Sequence, residues 1–147
     1  MRCASHALSL GLRTGLMLTR EAANTVYRLE HLRWINEQIR EATSKREYQR
    51  LLTLNIDFHE AICRASRNSM LMQFMSQIHD WVRRFPTTTL SHPGRAATAV
   101  LEHDALLDAL ARRDPEAAEH VARAHMDRAM QVRVSMLQAG THTAVDR

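Results

Sequence analysis

The scarcity of helix-breaking residues constrains this chain more than any other feature. Its 147 residues include only four glycines and three prolines, and they contain no alternating β-branched runs. Strands and hairpins usually carry that alternation and are bounded by such turn residues. The sequence therefore predicts an all-α fold.

Apolar residues at helical spacing predict five firm helices between residues 19 and 138, which we interpret as one domain. The first helix covers about 19–42, and the second begins at residue 44. The third runs from 68 to 85, and a loop at 86–94 follows it. The fourth covers about 95–112, and the fifth runs from 114 to 138. Residues 1–18 contain Gly11 and Gly15, and glycine weakens the interior of a helix. We therefore expect a degenerate or truncated first helix there. Residues 139–147 predict a frayed tail.

Three helix starts carry capping signals. Ser44 and Glu47 have the spacing of a capping box, and Asn68 is a typical N-cap residue. The run Asp114-Pro115-Glu116 places an N-cap acid, a proline at the first helical position and an acid in the first turn. We therefore expect a helix to begin at each of these points.

The composition indicates which cell compartment and which classes of partner to expect. Cys3 and Cys63 lie far apart, which gives no disulfide framework and favours a reducing cytoplasm. No apolar run approaches the roughly 18 residues of a membrane span, so no membrane partner is expected. The net charge of +4 is spread along the chain and is weak evidence for nucleic-acid binding.

Four polar residues fall on apolar helix faces: Asn55, His59, His103 and His125. Asn55 and His59 are one helical turn apart on the second helix. His103 and His125 are equidistant from residue 114, the turn between the fourth and fifth helices, so they lie at the same level of an antiparallel hairpin. The sequence thus directs one amide and three imidazoles to a common interior.

Imidazoles on facing helices commonly hold divalent metals in bundle interiors. The alternative is that each histidine is a separate core residue bonded to a backbone carbonyl, and the pattern leaves both open. Cys63, one turn beyond His59, is expected to be a packed thiol, and His79 to lie at a pocket rim. Glu60 and Glu102 adjoin candidate ligands in sequence and are expected to point away from the interior.

The spacing of several short motifs resembles the FCD domain, the C-terminal effector-binding domain of GntR-type bacterial transcription regulators. The motifs are N-x-x-F-H-x-x-I from Asn55 to Ile62, A-x-x-N from Ala65 to Asn68, the pair Glu102-His103, A-L-x-x-x-D from Ala109 to Asp114, and His125. The resemblance covers about residues 19–138. It implies an antiparallel bundle of about five to six helices, counting the degenerate first one, with a central ligand cavity.

The resemblance also implies a site and a function. Asn55, His59, His103 and His125 match the positions that hold a divalent metal, Zn²⁺ or Ni²⁺ above all. A small organic acid is expected to bind beside the metal in a cytoplasmic homodimer. Arg83 and Arg84, at the end of the third helix, are candidates for the effector carboxylate, or are simply cations favoured at a helix C-terminus.

Two departures from the family pattern matter. Asn55 stands where the family has an aspartate, and Asp57 is expected to point to another face. Four neutral ligands would leave the metal's charge uncompensated, which favours an anionic effector. The chain has no room for the winged helix through which such regulators contact DNA, so we do not expect it to bind an operator alone. Whether it is a fragment, a truncated gene product or a stand-alone domain stays open.

Two other functions remain as alternatives. One is a structural or dimerising bundle without metal or effector, in which the histidines make only protein hydrogen bonds. The other is a metallohydrolase, which needs a general base close to a metal-bound water. Because Glu60 and Glu102 are expected to point away, the sequence favours a binding domain over an enzyme.

Overall fold

The computed structural model describes the backbone of residues 22–66, 68–85 and 87–145, and side chains between residues 28 and 139 within those ranges. The predicted first helix at 1–18 lies outside the described residues. The boundaries of the effector domain, 19–138, stay a prediction.

Five α-helices and one 3-10 turn make up the described chain, which contains no strand. They are α1 (Ala22–Ser44), α2 (Tyr48–Ala65), α3 (Ser69–Arg83), the 3-10 turn (Thr89–Ser91), α4 (Arg95–Ala111) and α5 (Pro115–Val145). The predicted all-α fold is confirmed. Helix α5 extends through Val145, and the frayed tail predicted for residues 139–147 stays a prediction.

The junction of α1 and α2 differs from the predicted capping box. Ser44 is the last residue of α1, and its hydroxyl donates to the carbonyl of Glu41 at 2.7 Å. Arg46 takes a left-handed conformation with φ of 56°, and the amide of Glu47 donates to the carbonyl of Ala42 at 3.0 Å. These bonds close a Schellman motif, so Ser44 ends one helix instead of starting the next.

The two other predicted caps are confirmed. The Asn68 side chain accepts a hydrogen bond from the Leu71 amide at 3.0 Å. The Asp114 carboxylate accepts one from the Ala117 amide at 2.9 Å, and Pro115 opens α5. Each bond satisfies one of the amide groups that a helix N-terminus leaves without an intrahelical partner.

The helices enclose a core and a cavity. Helix α1 packs against α2 and α4, α4 packs against α5, and α3 packs against α2. Ile39, Leu51, Phe58 and Leu107 are among the most completely buried side chains. Burial of each contributes about 1.5–3 kcal/mol relative to an exposed side chain. Side chains do not fill the volume between α2, α3 and α5, which remains as a cavity.

Candidate functional site

Three buried imidazoles from three helices meet beside this cavity. His59 on α2, His103 on α4 and His125 on α5 are each 5% exposed or less. Their ring centroids are 5.5 Å apart for His59 and His103, 5.1 Å for His59 and His125, and 4.9 Å for His103 and His125. His103 and His125 thus face each other across the α4–α5 hairpin, as the sequence predicts. We call these three residues the histidine cluster.

Asn36 on α1 fixes the protonation of the His103 ring. Its amide nitrogen donates to the Asp104 carboxylate at 2.7 Å and to the Val100 carbonyl at 3.3 Å, so its oxygen is the atom that faces His103 Nδ1 at 3.0 Å. Because that oxygen only accepts, His103 Nδ1 carries the hydrogen. The lone pair of His103 therefore lies on Nε2, which is buried and has no hydrogen-bond partner in the described part of the chain.

Glu102 fixes the His125 ring in the same way. His125 Nδ1 donates to the Glu102 carboxylate at 2.7 Å, which leaves the lone pair on Nε2. The carboxylate also accepts from Arg95 at 2.9 Å and from Arg128. Burial alone would raise the pKa of Glu102, but these three partners outweigh it and lower that pKa to about 2. The expectation that Glu102 points away from the interior is therefore wrong.

The third imidazole completes the arrangement. His59 Nε2 lies 3.3 Å from His125 Nε2, a contact that either a hydrogen on His59 or a cation can bridge. Two nitrogens bound to one Zn²⁺ at about 2.0–2.1 Å with tetrahedral angles lie roughly 3.3 Å apart. One ring nitrogen from each of the three histidines lies within 4.8 Å of the other two. The cluster thus has a spacing that fits one metal ion.

The histidine cluster is electrically suited to a cation. Burial lowers the pKa of all three rings, and mutual repulsion between their charged forms adds to the effect for His59 and His103. Neutral imidazoles are the form that binds metals. Metal-binding histidines usually donate their second ring nitrogen to a carboxylate or a carbonyl, and Asn36 and Glu102 occupy such positions here.

The adjoining cavity has a volume of about 480 Å³ and lies between α2, α3 and α5. Cavities of roughly 300–1,000 Å³ with mostly apolar walls are typical of small-molecule sites. His79 lines this cavity and is 4% exposed, so it is a buried wall residue and not the rim residue that the sequence predicts. Its Nδ1 lies 3.4 Å from the Glu60 carboxylate, and burial lowers its pKa despite that contact.

A family comparison agrees with this geometry. The family model of the FCD domain matches residues 16–128, more than half of the chain. This chain belongs to the FCD domain family. FCD domains are the effector-binding domains of GntR-type transcription regulators, so the predicted family is confirmed. No curated protein sequence matches the chain.

Asn55 is the residue that the sequence predicts as the fourth ligand. It lines the cavity together with His59 and His125, and its side-chain oxygen is buried without a hydrogen-bond partner among the described residues. Asp57 is exposed, as expected for a residue on another face. A ligand role for Asn55 stays a prediction.

The two arginines that the sequence proposes for the effector lie elsewhere. Arg83 and Arg84 are exposed, Arg83 pairs with Asp80 at 3.3 Å, and neither lines the cavity. This geometry does not bring them to the cavity, because Arg83 ends α3, Arg84 follows it, and both are exposed to solvent. Arg133 lines the cavity instead. It lies eight residues after His125 on the same helix, which places both on one face.

Two further polar residues could be found only partly from sequence. Asn36 lies on the apolar stripe of α1, beside Ile35 and Ile39, and that position is a usable signal. Arg95 begins α4 and reaches Glu102 two turns later, a contact that its place after a loop does not suggest. No helix in the part of the chain that the structure describes is long and apolar enough to cross a membrane.

Proposed function

We propose that this FCD domain is the ligand-sensing domain of a GntR-type regulator, which binds a small organic acid in its cavity beside a divalent metal. His59, His103 and His125 would hold the metal, with Asn55 as a candidate fourth ligand and Zn²⁺ or Ni²⁺ as the ion. The bound ion would supply a positive charge at the cavity wall. Because all four ligands are neutral, that charge would attract an anionic effector.

One observation carries this proposal. The Nε2 lone pair of His103 is buried, aimed among two other imidazoles, and without a donor in the described part of the chain. An unpartnered buried polar atom costs about 1–3 kcal/mol. A metal ion in the histidine cluster would satisfy it, whereas a purely structural role for these histidines leaves it unsatisfied.

The experiment measures bound metal. The protein is purified without an affinity tag, and metal content is determined by elemental analysis for wild type, His103→Ala and the control His120→Ala, whose side chain is exposed on α5. We expect near-stoichiometric metal in wild type and in the control, and loss in His103→Ala. If the wild type contains no metal and its melting temperature does not change on addition of Zn²⁺ or Ni²⁺, the alternative of a structural bundle without metal is supported instead.

Catalysis is a poorer interpretation of the same residues. Glu102 is the carboxylate next to the histidine cluster, but its pKa of about 2 makes it a weak base at neutral pH. It is also engaged by His125, Arg95 and Arg128. Glu102 therefore orients a ligand and is unsuited to abstracting a proton from water.

Homodimer formation in the cytoplasm, with DNA contacted through an attached winged helix, completes the proposal. Trp34 on α1 and Leu101 on α4 are 58% and 64% exposed, and exposed large apolar residues are typical of contact surfaces. Light scattering after size-exclusion chromatography tests the dimer. We expect a dimer mass for wild type and a shift toward monomer for the double variant Trp34→Ala, Leu101→Ala.

A further inference from the structure

Arg133 is a buried cation that lines the cavity, and it has no counter-ion among the residues that the structure describes. Arg133 is 7% exposed, and its guanidinium carbon lies 4.2 Å from the centre of the Phe85 ring. It donates one hydrogen bond to the Thr87 carbonyl at 3.0 Å. No carboxylate among the described residues pairs with it. Burial alone shifts the pKa of Arg133, and the direction is downward.

Arg95 is a second buried arginine, and unlike Arg133 it has a carboxylate as its counter-ion among the described residues. Arg95 is 3% exposed, and its guanidinium pairs with the Glu102 carboxylate at 2.9 Å. Buried charges in proteins are usually paired, because an unpaired charge loses its hydration without compensation. Within the described ranges Arg133 contacts a carbonyl and an aromatic face but no carboxylate, so its guanidinium retains donors for an anion.

The positions of Arg133 and the histidine cluster set the shape of that anion. His125 and Arg133 lie on one face of α5, about 12 Å apart along the helix axis. Large apolar side chains line the cavity, among them Phe74, Ile78, Val82, Met126 and Met130. An acid of two or three carbons would leave much of a 480 Å³ apolar cavity to water.

We propose that Arg133 binds a carboxylate of an organic acid whose apolar body lies along the apolar walls of the cavity. This inference rests on the proposed function in taking the cavity as the effector site, and it names the effector class as an amphipathic carboxylic acid. The guanidinium can form a bidentate pair with a carboxylate, which fixes the acid's orientation. The apolar walls then select for a hydrocarbon or aromatic body.

The first test uses the wild-type chain and three probes. Calorimetry on metal-free protein compares octanoate, octan-1-ol and acetate. We expect octanoate to bind about ten-fold or more tightly than either of the others, because only it offers both a carboxylate and an apolar body. Equal binding of octanoate and octan-1-ol, or no binding of octanoate, would overturn the proposal.

The second test removes the charge. Arg133→Gln keeps a donor for the Thr87 carbonyl, and Arg83→Gln is the matched control, since Arg83 is an exposed arginine outside the cavity. We expect octanoate affinity to fall about 10- to 100-fold in Arg133→Gln and to stay unchanged in the control. Equal loss in both variants, or no loss in Arg133→Gln, would contradict the proposal. If thermal unfolding shows that Arg133→Gln is not folded, the comparison of probes on wild type decides.

These measurements separate this inference from the metal site. Arg133-dependent octanoate binding by a protein that holds no metal would support the inference while the metal part of the proposed function fails. If organic acids bind only in the presence of metal, and with the same affinity in Arg133→Gln as in wild type, the proposed function is supported and the inference is overturned.

Discussion

The two ends of the cavity are built differently. At the histidine cluster, every imidazole comes from a helix, is 5% exposed or less, and two of them are oriented by Asn36 and Glu102. At the Arg133 end, the guanidinium rests on Phe85 and Thr87, which follow α3, and Trp81 beside them is 43% exposed. The first arrangement suits one small ion in fixed geometry, whereas the second can adapt to the body of a larger ligand.

The largest expected difference between the two ends is in stability. Phe58 is fully buried and stacks on His103 with ring centroids 4.0 Å apart, whereas Phe85 is half-buried. We expect Phe58→Ala to lower the free energy of unfolding by about 3–5 kcal/mol. We expect Phe85→Ala to lower it by about 1–2 kcal/mol. Urea unfolding measures both, and equal losses would show that the two ends are equally rigid.

Substitution of Asn36 is expected to have the next largest effect, on both stability and metal affinity. Asn36→Ala removes the acceptor of His103 Nδ1 and leaves that buried donor unpaired, which costs about 1–3 kcal/mol of stability. Because His103 would then lose its fixed tautomer, metal affinity should fall about 10- to 100-fold. Zn²⁺ titration against a competing chelator measures the affinity. The exposed neighbour Glu37→Ala serves as the control, and an unchanged affinity in Asn36→Ala would show that the ring needs no such orientation.

Glu102→Gln should have a smaller effect on the same site. Glutamine keeps the length of the side chain and an oxygen that can accept from His125, but it removes the charge that Arg95 and Arg128 neutralise. We expect metal affinity to fall about ten-fold, toward the low end of the range for such supporting residues. The same titration measures it. An affinity loss larger than that of Asn36→Ala would mean that charge, and not ring orientation, dominates at this end.

The difference between the ends also explains what could be predicted from the sequence. Helical spacing and the mirror positions of His103 and His125 about residue 114 depend on local geometry, and both were correct. The sequence does not predict the partners of these rings, because Asn36 reaches His103 across 67 residues of chain. The sequence predicts the wrong direction for Glu102, since a residue next to an inward histidine can still bend its side chain toward the neighbouring helix.

The sequence does not predict the Arg133 end for a related reason. The sequence favours Arg83 and Arg84 because they are two adjacent cations at the end of α3, near the loop. Sequence proximity to a loop does not direct a side chain into a cavity. Arg133 lies eight residues after His125, on the same face of the predicted helix, and that position marks it as a charge on an inward face. Arginines at helix ends are common, whereas a cation on an inner face is rare and therefore more informative.

The smallest expected effect concerns Cys63, which lies one turn after His59 in the rigid end of the molecule. It is fully buried, and burial, with the nearby Glu60 charge, raises the pKa of its thiol to about 12. At pH 8 only about one thiol in 10,000 would be ionised, and the thiolate is the reactive form. In a Cys3→Ser background, we expect native protein to resist iodoacetamide and urea-unfolded protein to react fully, as measured by mass spectrometry. Rapid labelling of the native protein would show that the helix carrying His59 opens readily, and the rigidity inferred for the histidine cluster would then not hold.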